Sequence, residues 1–479
     1  MAAKAPIPTE LGTEKIGKLL KQYALPAIIA QTASSLYNMV DSIFIGHGVG
    51  AQAISGLAVT FPLMNLSTAF GTLVGAGAAT MLSVLLGQRN YQAANKVLGN
   101  VVSLNIIIGL IFMIVSLIFI DPILYFFGAS ADTLPYAKEY IQIILYGNII
   151  THLYFGLNAA MRASGSPKKA MGLTIFTVVF NTLLDPLFIF VFDMGIAGAA
   201  WATVVAQTVA MIIVLRHFSN RERAFHFEKG IVRLDRRVAK DSLAIGLGPF
   251  LMNAAACLVT LFINQQLRKY SGDLGIGAFG ISNRFIFMFI MICMGLNQGM
   301  QPIAGFNYGA RQYSRVKEVF WKTAILGTVV TCICFIIGCF FPRAAAGIFT
   351  HDEQLLNMSE ESLRLLTIMF PLVGFQMIGT NFFQSLGMVK KSVILSLSRQ
   401  ILFLLPCLYF LPIFIGKAME TKTVAGIEHG MNEAMGVWLS FPVSDFLSCV
   451  LTALLLARLF RKFNRLKDGD SSTGLGAHI

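Results

Sequence analysis

Long uninterrupted apolar segments are the feature that most restricts the fold of this chain. Segments of about twenty apolar residues, such as 101–120 and 323–341, recur along it, and an α-helix needs about 20 residues to cross the ~30 Å hydrocarbon core of a bilayer. A soluble fold could not bury them, because 56% of the 479 residues are hydrophobic and 13% are charged. The segments are too long, and alternate too little, for a membrane β-barrel. The sequence predicts an all-α integral membrane protein with twelve transmembrane helices.

Lysine and arginine residues are unequally divided between the two ends of these helices. Of the 37 basic residues, 29 fall in the termini and the connections on the same side, seven fall on the other side, and Arg284 lies inside the eighth helix. Because basic loops remain in the cytoplasm, we expect both termini to be cytoplasmic in a multi-pass protein of the plasma (inner) membrane, with the first helix as an uncleaved anchor. No basic soluble domain with interleaved aromatic residues indicates nucleic-acid binding.

The two halves of the chain repeat each other at an offset of 222 residues, which places Arg89 on Arg311 and Gly165 on Gly387. A constant offset over so long a stretch indicates duplication. Each half begins and ends on the cytoplasmic side, so the sequence predicts two six-helix bundles related by a pseudo-two-fold axis along the membrane normal. We expect a cytoplasmic N-terminal segment, an N-lobe, a cytoplasmic linker, a C-lobe and a cytoplasmic tail at 1–19, 20–215, 216–241, 242–457 and 458–479.

Three acidic residues, Asp41, Asp185 and Asp445, fall within apolar segments, where a charged side chain costs kilocalories unless it is used or paired. At 1.5 Å per residue, Asp41 and Asp185 lie about 7 and 10 Å from the outer ends of helices 1 and 5. Asn181 lies one turn before Asp185, and Thr203 lies about 12 Å deep in helix 6. Oxygen atoms from three helices at one depth predict a site for a proton or for a hard cation such as sodium.

Neighbouring residues can support this site or explain the acids differently. Tyr37 and Asn38 lie one turn before the first acid, and Pro186 frees a backbone carbonyl group beside the second. Alternatively, the acids pair with neighbours and only fix helix packing, with Arg284 as a possible partner. For Asp445, packing or a salt bridge explains the residue at least as well as transport does.

The repeat predicts that cation coupling is confined to the first half. The 222-residue shift maps Asp41 onto Ile263 and Asp185 onto Cys407. Neither of these side chains can bind a cation through a carboxylate. The seven cysteines all lie in apolar segments of the second half without metal-ligand spacing, so we expect them to pack in the core.

Three sequence motifs resemble the multidrug and toxic compound extrusion (MATE) family: SLYNMVDSIFIG at 35–46, NTLLDPLFIF at 181–190 and GMQPIAGFNYGA at 299–310. The resemblance covers nearly the whole chain. It implies a DinF-like or MepA-like member whose amino-lobe acid pair, with Asn and Thr partners, matches Asp41, Asp185, Asn181 and Thr203. These four residues would be the ligands if the coupling ion is sodium. The carboxy-lobe acids of NorM-like members are absent, since 253–257 reads NAAAC.

By this resemblance the protein is expected to export small hydrophobic organic cations in exchange for H⁺ or Na⁺ by alternating access. We expect no cofactor other than the coupling ion, no partners other than the lipid bilayer and the substrates, and a monomer. Two alternatives are a lipid-linked oligosaccharide flippase of a related superfamily, which would need several basic residues in its cavity, and a membrane-embedded enzyme, which would need convergent catalytic groups. Arg284 alone is weak support for a flippase. His152 has no neighbouring residues at the spacing of a catalytic site, as the enzyme alternative would need.

Overall fold

The structure of the protein is a computed structural model. It describes residues 10–49, 51–220, 225–227, 234–350, 352–420, 429–466 and 468–469, and the statements below concern those residues. Their fold is helical throughout, as a chain with so many apolar segments requires, because a helix satisfies its backbone hydrogen bonds internally in lipid.

Twelve long helices form two bundles of six. The N-lobe comprises α1 Ile16–Gly48, α2 Ala51–Gly87, α3 Tyr91–Ile118, α4 Leu134–Tyr146 with Asn148–Ala163, α5 Pro167–Val191 and α6 Gly195–Ser219. The C-lobe comprises α7 Arg236–Gly272, α8 Leu274–Gly309, α9 Tyr313–Phe340, α10 Glu353–Thr367 with Phe370–Ser385, α11 Val389–Ile415 and α12 His429–Arg465. Short helices occur at Glu10–Thr13, Ile120–Phe126 and Pro342–Gly347. Helices α6 and α7 extend into the predicted linker 216–241 at its two ends.

The backbone repeats with the same offset as the sequence. Helices α3 and α9 both have 28 residues and begin 222 positions apart. Arg89 and Arg311, which precede them, adopt the same left-handed conformation, with φ of 60° and 58°. Gly165 and Gly387 also share a positive φ, at 93° and 69°. The duplication therefore preserves local turn geometry as well as helix order.

The two chain ends lie on one side of the molecule, here called the terminal face. The backbone amide of Gly469 donates to the carbonyl oxygen of Arg311 at 3.0 Å, and Arg315 donates to the carbonyl oxygens of Leu11 and Glu14 at 3.1 and 2.6 Å. The segment before α1 is thereby held against the α8–α9 turn of the other lobe. The opposite side is called the distal face.

The lobes pack closely in the half of the molecule next to the terminal face. A Cβ atom added to Gly77, Gly246 or Gly309 would lie 2.0, 1.8 or 2.1 Å from a carbonyl oxygen of the other lobe, so only glycine permits this approach. Gln301 of α8 donates to the hydroxyl of Thr80 of α2 at 2.7 Å. The largest buried apolar cluster also draws on both lobes. This half is a continuous core.

A cleft separates the lobes in the distal half. Its floor is formed by contacts between Gln31 and Met291, 4.0 Å from Nε2 to Sδ, and between the rings of Phe70 and Phe250, with centroids 4.8 Å apart. Beyond the floor, each buried apolar cluster belongs to one lobe only within the described part of the chain. The described apolar contacts between the lobes are therefore concentrated toward the terminal face.

Candidate functional site

The two acidic residues predicted on α1 and α5 lie together in the distal half of the N-lobe. Asp41 is 6% exposed and Asp185 is fully buried, and their carboxylates are close enough to interact electrostatically. Two acids taken out of water beside each other repel when both are charged. The pair therefore needs protons or a cation in order to be stable in the membrane.

Asn181 and Thr203 complete the predicted set, and together with the two acids they are called the N-lobe acid site. The amide nitrogen of Asn181 donates to the hydroxyl oxygen of Thr203 at 3.0 Å, joining α5 to α6. Thr203 donates in turn to the carbonyl oxygen of Ala199 at 3.1 Å. Asn181 lies one turn before Asp185, so its amide group and the carboxylate of Asp185 lie on the same face of α5.

One carboxylate oxygen of the site has no protein donor. Oδ1 of Asp41 is buried and accepts no hydrogen bond from the described residues. A buried charged oxygen without a partner is costly, so a neutral carboxyl group is favoured over a bare carboxylate at this position. The side chains of Tyr37 and Asn38 lie outside the part of the chain that the structure describes.

The backbone next to the site departs from the α-helix. Pro186 has no amide hydrogen, and the five residues Leu187–Val191 that follow form a π-turn. The end of α1 packs against this turn, since a Cβ atom added to Gly48 would lie 2.4 Å from the side chain of Ile189. The Pro186 prediction thus identified a real irregularity, and the π-turn links the helices that carry the two acids.

Sequence reasoning missed Tyr140 of α4. Its ring is buried, and its hydroxyl group lies within electrostatic range of both Asp41 and Asp185. Lys138 and Glu139 precede it near a helix end, a pattern that suggests an interfacial tyrosine. The periodicity of α4 was the available signal, because Tyr140 shares the buried face with Ala137 and Ile141.

Asp445 lies in a separate buried pair in the C-lobe. Arg399 Nε donates to Asp445 Oδ1 at 2.7 Å, and Ser444 donates to the carbonyl oxygen of Arg399 at 2.6 Å. Arg399 belongs to the π-helical segment Ser398–Leu404 inside α11. The salt-bridge interpretation of Asp445 is correct, with Arg399 as the partner.

Arg284 was considered as a pairing partner for the acids inside the membrane, and it does not take that role among the described residues. It is exposed on α8 and forms no ion pair with a described acid. It lies seven residues before Met291, which puts both on one face of the helix. Met291 contacts the N-lobe, so Arg284 lies on the face of α8 that is turned toward the N-lobe.

The counterparts of the acids in the C-lobe are as the repeat predicted. Ile263 is buried among apolar side chains of the C-lobe, and Cys407 is a free thiol. The described residues contain no group of three or more His, Cys, Asp or Glu side chains that could hold a metal ion. His152, relevant to the enzyme alternative, is buried with its Nε2 3.0 Å from the carbonyl oxygen of Ser67.

Comparison with known proteins agrees with this architecture. A model of the MatE family matches residues 26–187 and 249–410, one match in each lobe. The chain belongs to the MATE family of multidrug efflux transporters. It is 26% identical over 444 residues to the multidrug export protein MepA of Staphylococcus aureus strain MSSA476, covering 93% of this chain and 94% of MepA.

Solved structures share the fold over nearly the whole chain. The MATE multidrug transporter DinF-BH in complex with rhodamine 6G is 34% identical, with a TM-score of 0.84 over 98% of this chain and 100% of that one. An outward-facing MATE transporter of the MOP superfamily is 22% identical, with a TM-score of 0.86 over 96% of this chain and 99% of that one. At 22% identity, the similarity to the outward-facing transporter shows a shared fold only. Twelve helices in two bundles are the known architecture of the family.

Proposed function

We propose that this transporter exports small hydrophobic organic cations in exchange for protons or sodium ions, which bind at the N-lobe acid site. The observation that carries the proposal is the buried Oδ1 of Asp41, which lacks a donor among the described residues and lies beside a second carboxylate. A proton or a sodium ion would neutralise this arrangement with oxygen ligands alone. The coupling ion is a transported species, and no cofactor is proposed.

Helix α1 can carry the effect of ion binding to the lobe interface. Its terminal half packs on α8, where Cβ atoms added to Gly295 and Gly299 would lie 2.5 and 2.4 Å from Ile28 and Ala24. Its distal half carries Asp41, and Pro26, which lacks an amide hydrogen, lies within the continuous helix near the contact with α8. A cation bound at Asp41 lets α1 repack at lower electrostatic cost. A difference of ~3 kcal/mol in ion affinity between the two states would change their ratio more than a hundredfold.

The N-lobe offers a hydrophobic substrate an apolar environment in the distal half. A cavity of about 640 Å³ is lined by apolar side chains of α2, α3 and the short helix Ile120–Phe126, among them Phe70 and Phe112. Its size suits a drug-sized ligand. Such aromatic walls fit hydrophobic organic compounds, and the names of the relatives, a multidrug export protein and a transporter in complex with rhodamine 6G, support this substrate class.

The coupling experiment uses purified protein in liposomes loaded with rhodamine 6G. A proton gradient and a sodium gradient are imposed separately, and dye movement is followed by fluorescence. We expect one of the two gradients to drive dye transport and the other to have little effect. If neither gradient moves the dye, and a fluorescent lipid-linked oligosaccharide is flipped instead, the flippase alternative replaces this proposal.

We infer further that the protein acts as a monomer in the plasma (inner) membrane with the terminal face in the cytoplasm, because most basic residues lie on that side. The loops at Lys168 and Lys390, equivalent in the repeat, should then both face inward. A cysteine introduced at either position should resist an impermeant thiol reagent in intact cells. Labelling at both would reverse the assigned orientation.

A further inference from the structure

A groove of about 590 Å³ follows the seam between the lobes on the outer surface of the helix bundle, next to the terminal face. One wall is α1 of the N-lobe and the other is α8 and α9 of the C-lobe. The sides are apolar, and Leu25, Ile325 and Val329 are 48, 60 and 51% exposed. Exposed apolar side chains on a membrane helix face lipid, so the groove opens to the bilayer.

The end of the groove nearest the terminal face has a different chemistry. Gly17, Lys21 and Lys322 form it, and these two lysines are the only charged residues lining the groove. Lys322 Nζ lies 3.9 Å from the position of a Cβ atom on Gly17, so the missing side chain leaves space beside the amine. Lys322 pairs with Glu318 in an exposed i,i+4 contact at 2.7 Å, which is weak. Lys21 has no ion pair among the described residues.

The dimensions of the groove match one leaflet of a membrane. From Gly17 to Ile28 helix α1 rises about 16 Å at 1.5 Å per residue. The hydrocarbon core of a bilayer is ~30 Å thick, so one leaflet occupies about half of it. The lysines therefore lie at headgroup level when the apolar part of the groove spans the acyl chains.

We propose that the groove is a binding site for an anionic phospholipid, with an acyl chain along α1 and α9 and the headgroup phosphate between Lys21 and Lys322. An apolar groove alone would accept the tail of any lipid, whereas two lysines at headgroup level select a negative charge. The same lysines disfavour an organic cation as the occupant. Because the walls come from both lobes, the site exists only while the lobes touch at the terminal face. A bound lipid therefore favours the conformation in which the lobes touch at the terminal face.

The test is native mass spectrometry of the full-length protein released from vesicles of equal parts phosphatidylglycerol and phosphatidylcholine. We expect one phosphatidylglycerol to be retained per protein. The double substitution Lys21→Gln and Lys322→Gln should weaken its retention about 30-fold, the effect of two juxtamembrane lysines. Gly17→Leu should also reduce retention, since it fills the headgroup end without changing the charge.

The matched control is Lys168→Gln with Lys169→Gln, which removes two exposed lysines from the same face that do not line this groove. This variant should retain the lipid like the unmodified protein. Equal retention of phosphatidylglycerol and phosphatidylcholine would show that the groove does not select a negative headgroup, and it would overturn the proposal. The proposal would also fail if the Lys168/Lys169 variant lost as much phosphatidylglycerol as the Lys21/Lys322 variant. Lipid retention is measured without transport, so the result does not depend on whether ion binding at the N-lobe acid site drives efflux.

Discussion

The N-lobe and the C-lobe share a backbone plan, yet their buried carboxylates have different partners. In the C-lobe, Asp445 has an arginine partner at 2.7 Å, supplied by a π-turn of α11. In the N-lobe, Asp41 lies beside Asp185, and one of its oxygens has no donor among the described residues. A buried acid with a fixed cation is permanently neutralised, whereas an acid beside another acid needs a mobile cation. Under the proposed function, this difference gives the C-lobe pair a structural role and the N-lobe pair a coupling role.

The largest effect should follow the loss of either acid of the N-lobe site. Asp41→Asn and Asp185→Asn keep the shape of the side chain and remove the charge, so the site can no longer distinguish an ion-bound from an ion-free state. We expect gradient-driven efflux of rhodamine 6G from proteoliposomes to fall by about 100-fold or more. Both variants should insert normally, because an uncharged side chain lowers the insertion cost. Normal efflux by both would remove the coupling role.

The C-lobe pair should affect stability more than transport. Arg399→Gln leaves Asp445 buried without its cation, which should destabilise the protein by about 3–5 kcal/mol, measured by thermal unfolding in detergent. The double variant Arg399→Met with Asp445→Leu removes both charges and should recover most of this stability and transport normally. If it is stable but inactive, the C-lobe pair takes part in coupling and the contrast between the lobes fails.

A smaller effect is expected at Thr203. Its replacement by valine removes the acceptor for the amide nitrogen of Asn181, a hydrogen bond worth about 0.5–1.5 kcal/mol. The apparent affinity for the coupling ion should fall about 3- to 10-fold, measured from efflux rates at varied ion concentration. Thr208→Val is the matched control on the same helix, because Thr208 donates only to the carbonyl oxygen of Val204. Equal effects of the two substitutions would indicate a general change in α6.

The sequence predicted the architecture well because its signals are periodic and redundant. Apolar segments identified all twelve helices, and one offset of 222 residues related Arg89 to Arg311 and Gly165 to Gly387. The depths of Asp41 and Asp185, counted from helix ends, placed both at one level. The Asn181–Thr203 hydrogen bond is consistent with that placement.

The missed features depend on packing between helices, which a single sequence does not display. The periodicity of α4 shows that Tyr140 lies on a buried face, but it does not show that this face meets Asp41 and Asp185. Arg399 lies ten residues after Val389, where α11 begins. Its partner Asp445 lies 46 positions later. The π-turns likewise have no reliable sequence signal.

The most direct test of coupling at the N-lobe acid site is a distance measurement across the cleft. Spin labels at Ala131 and Ile348, exposed at the distal ends of the two lobes, are introduced after the seven native cysteines are replaced. We expect the distance distribution to change between low and high pH, or between the absence and presence of sodium, and Asp41→Asn to abolish this response while Arg399→Met with Asp445→Leu preserves it. An ion response that survives Asp41→Asn would contradict the account.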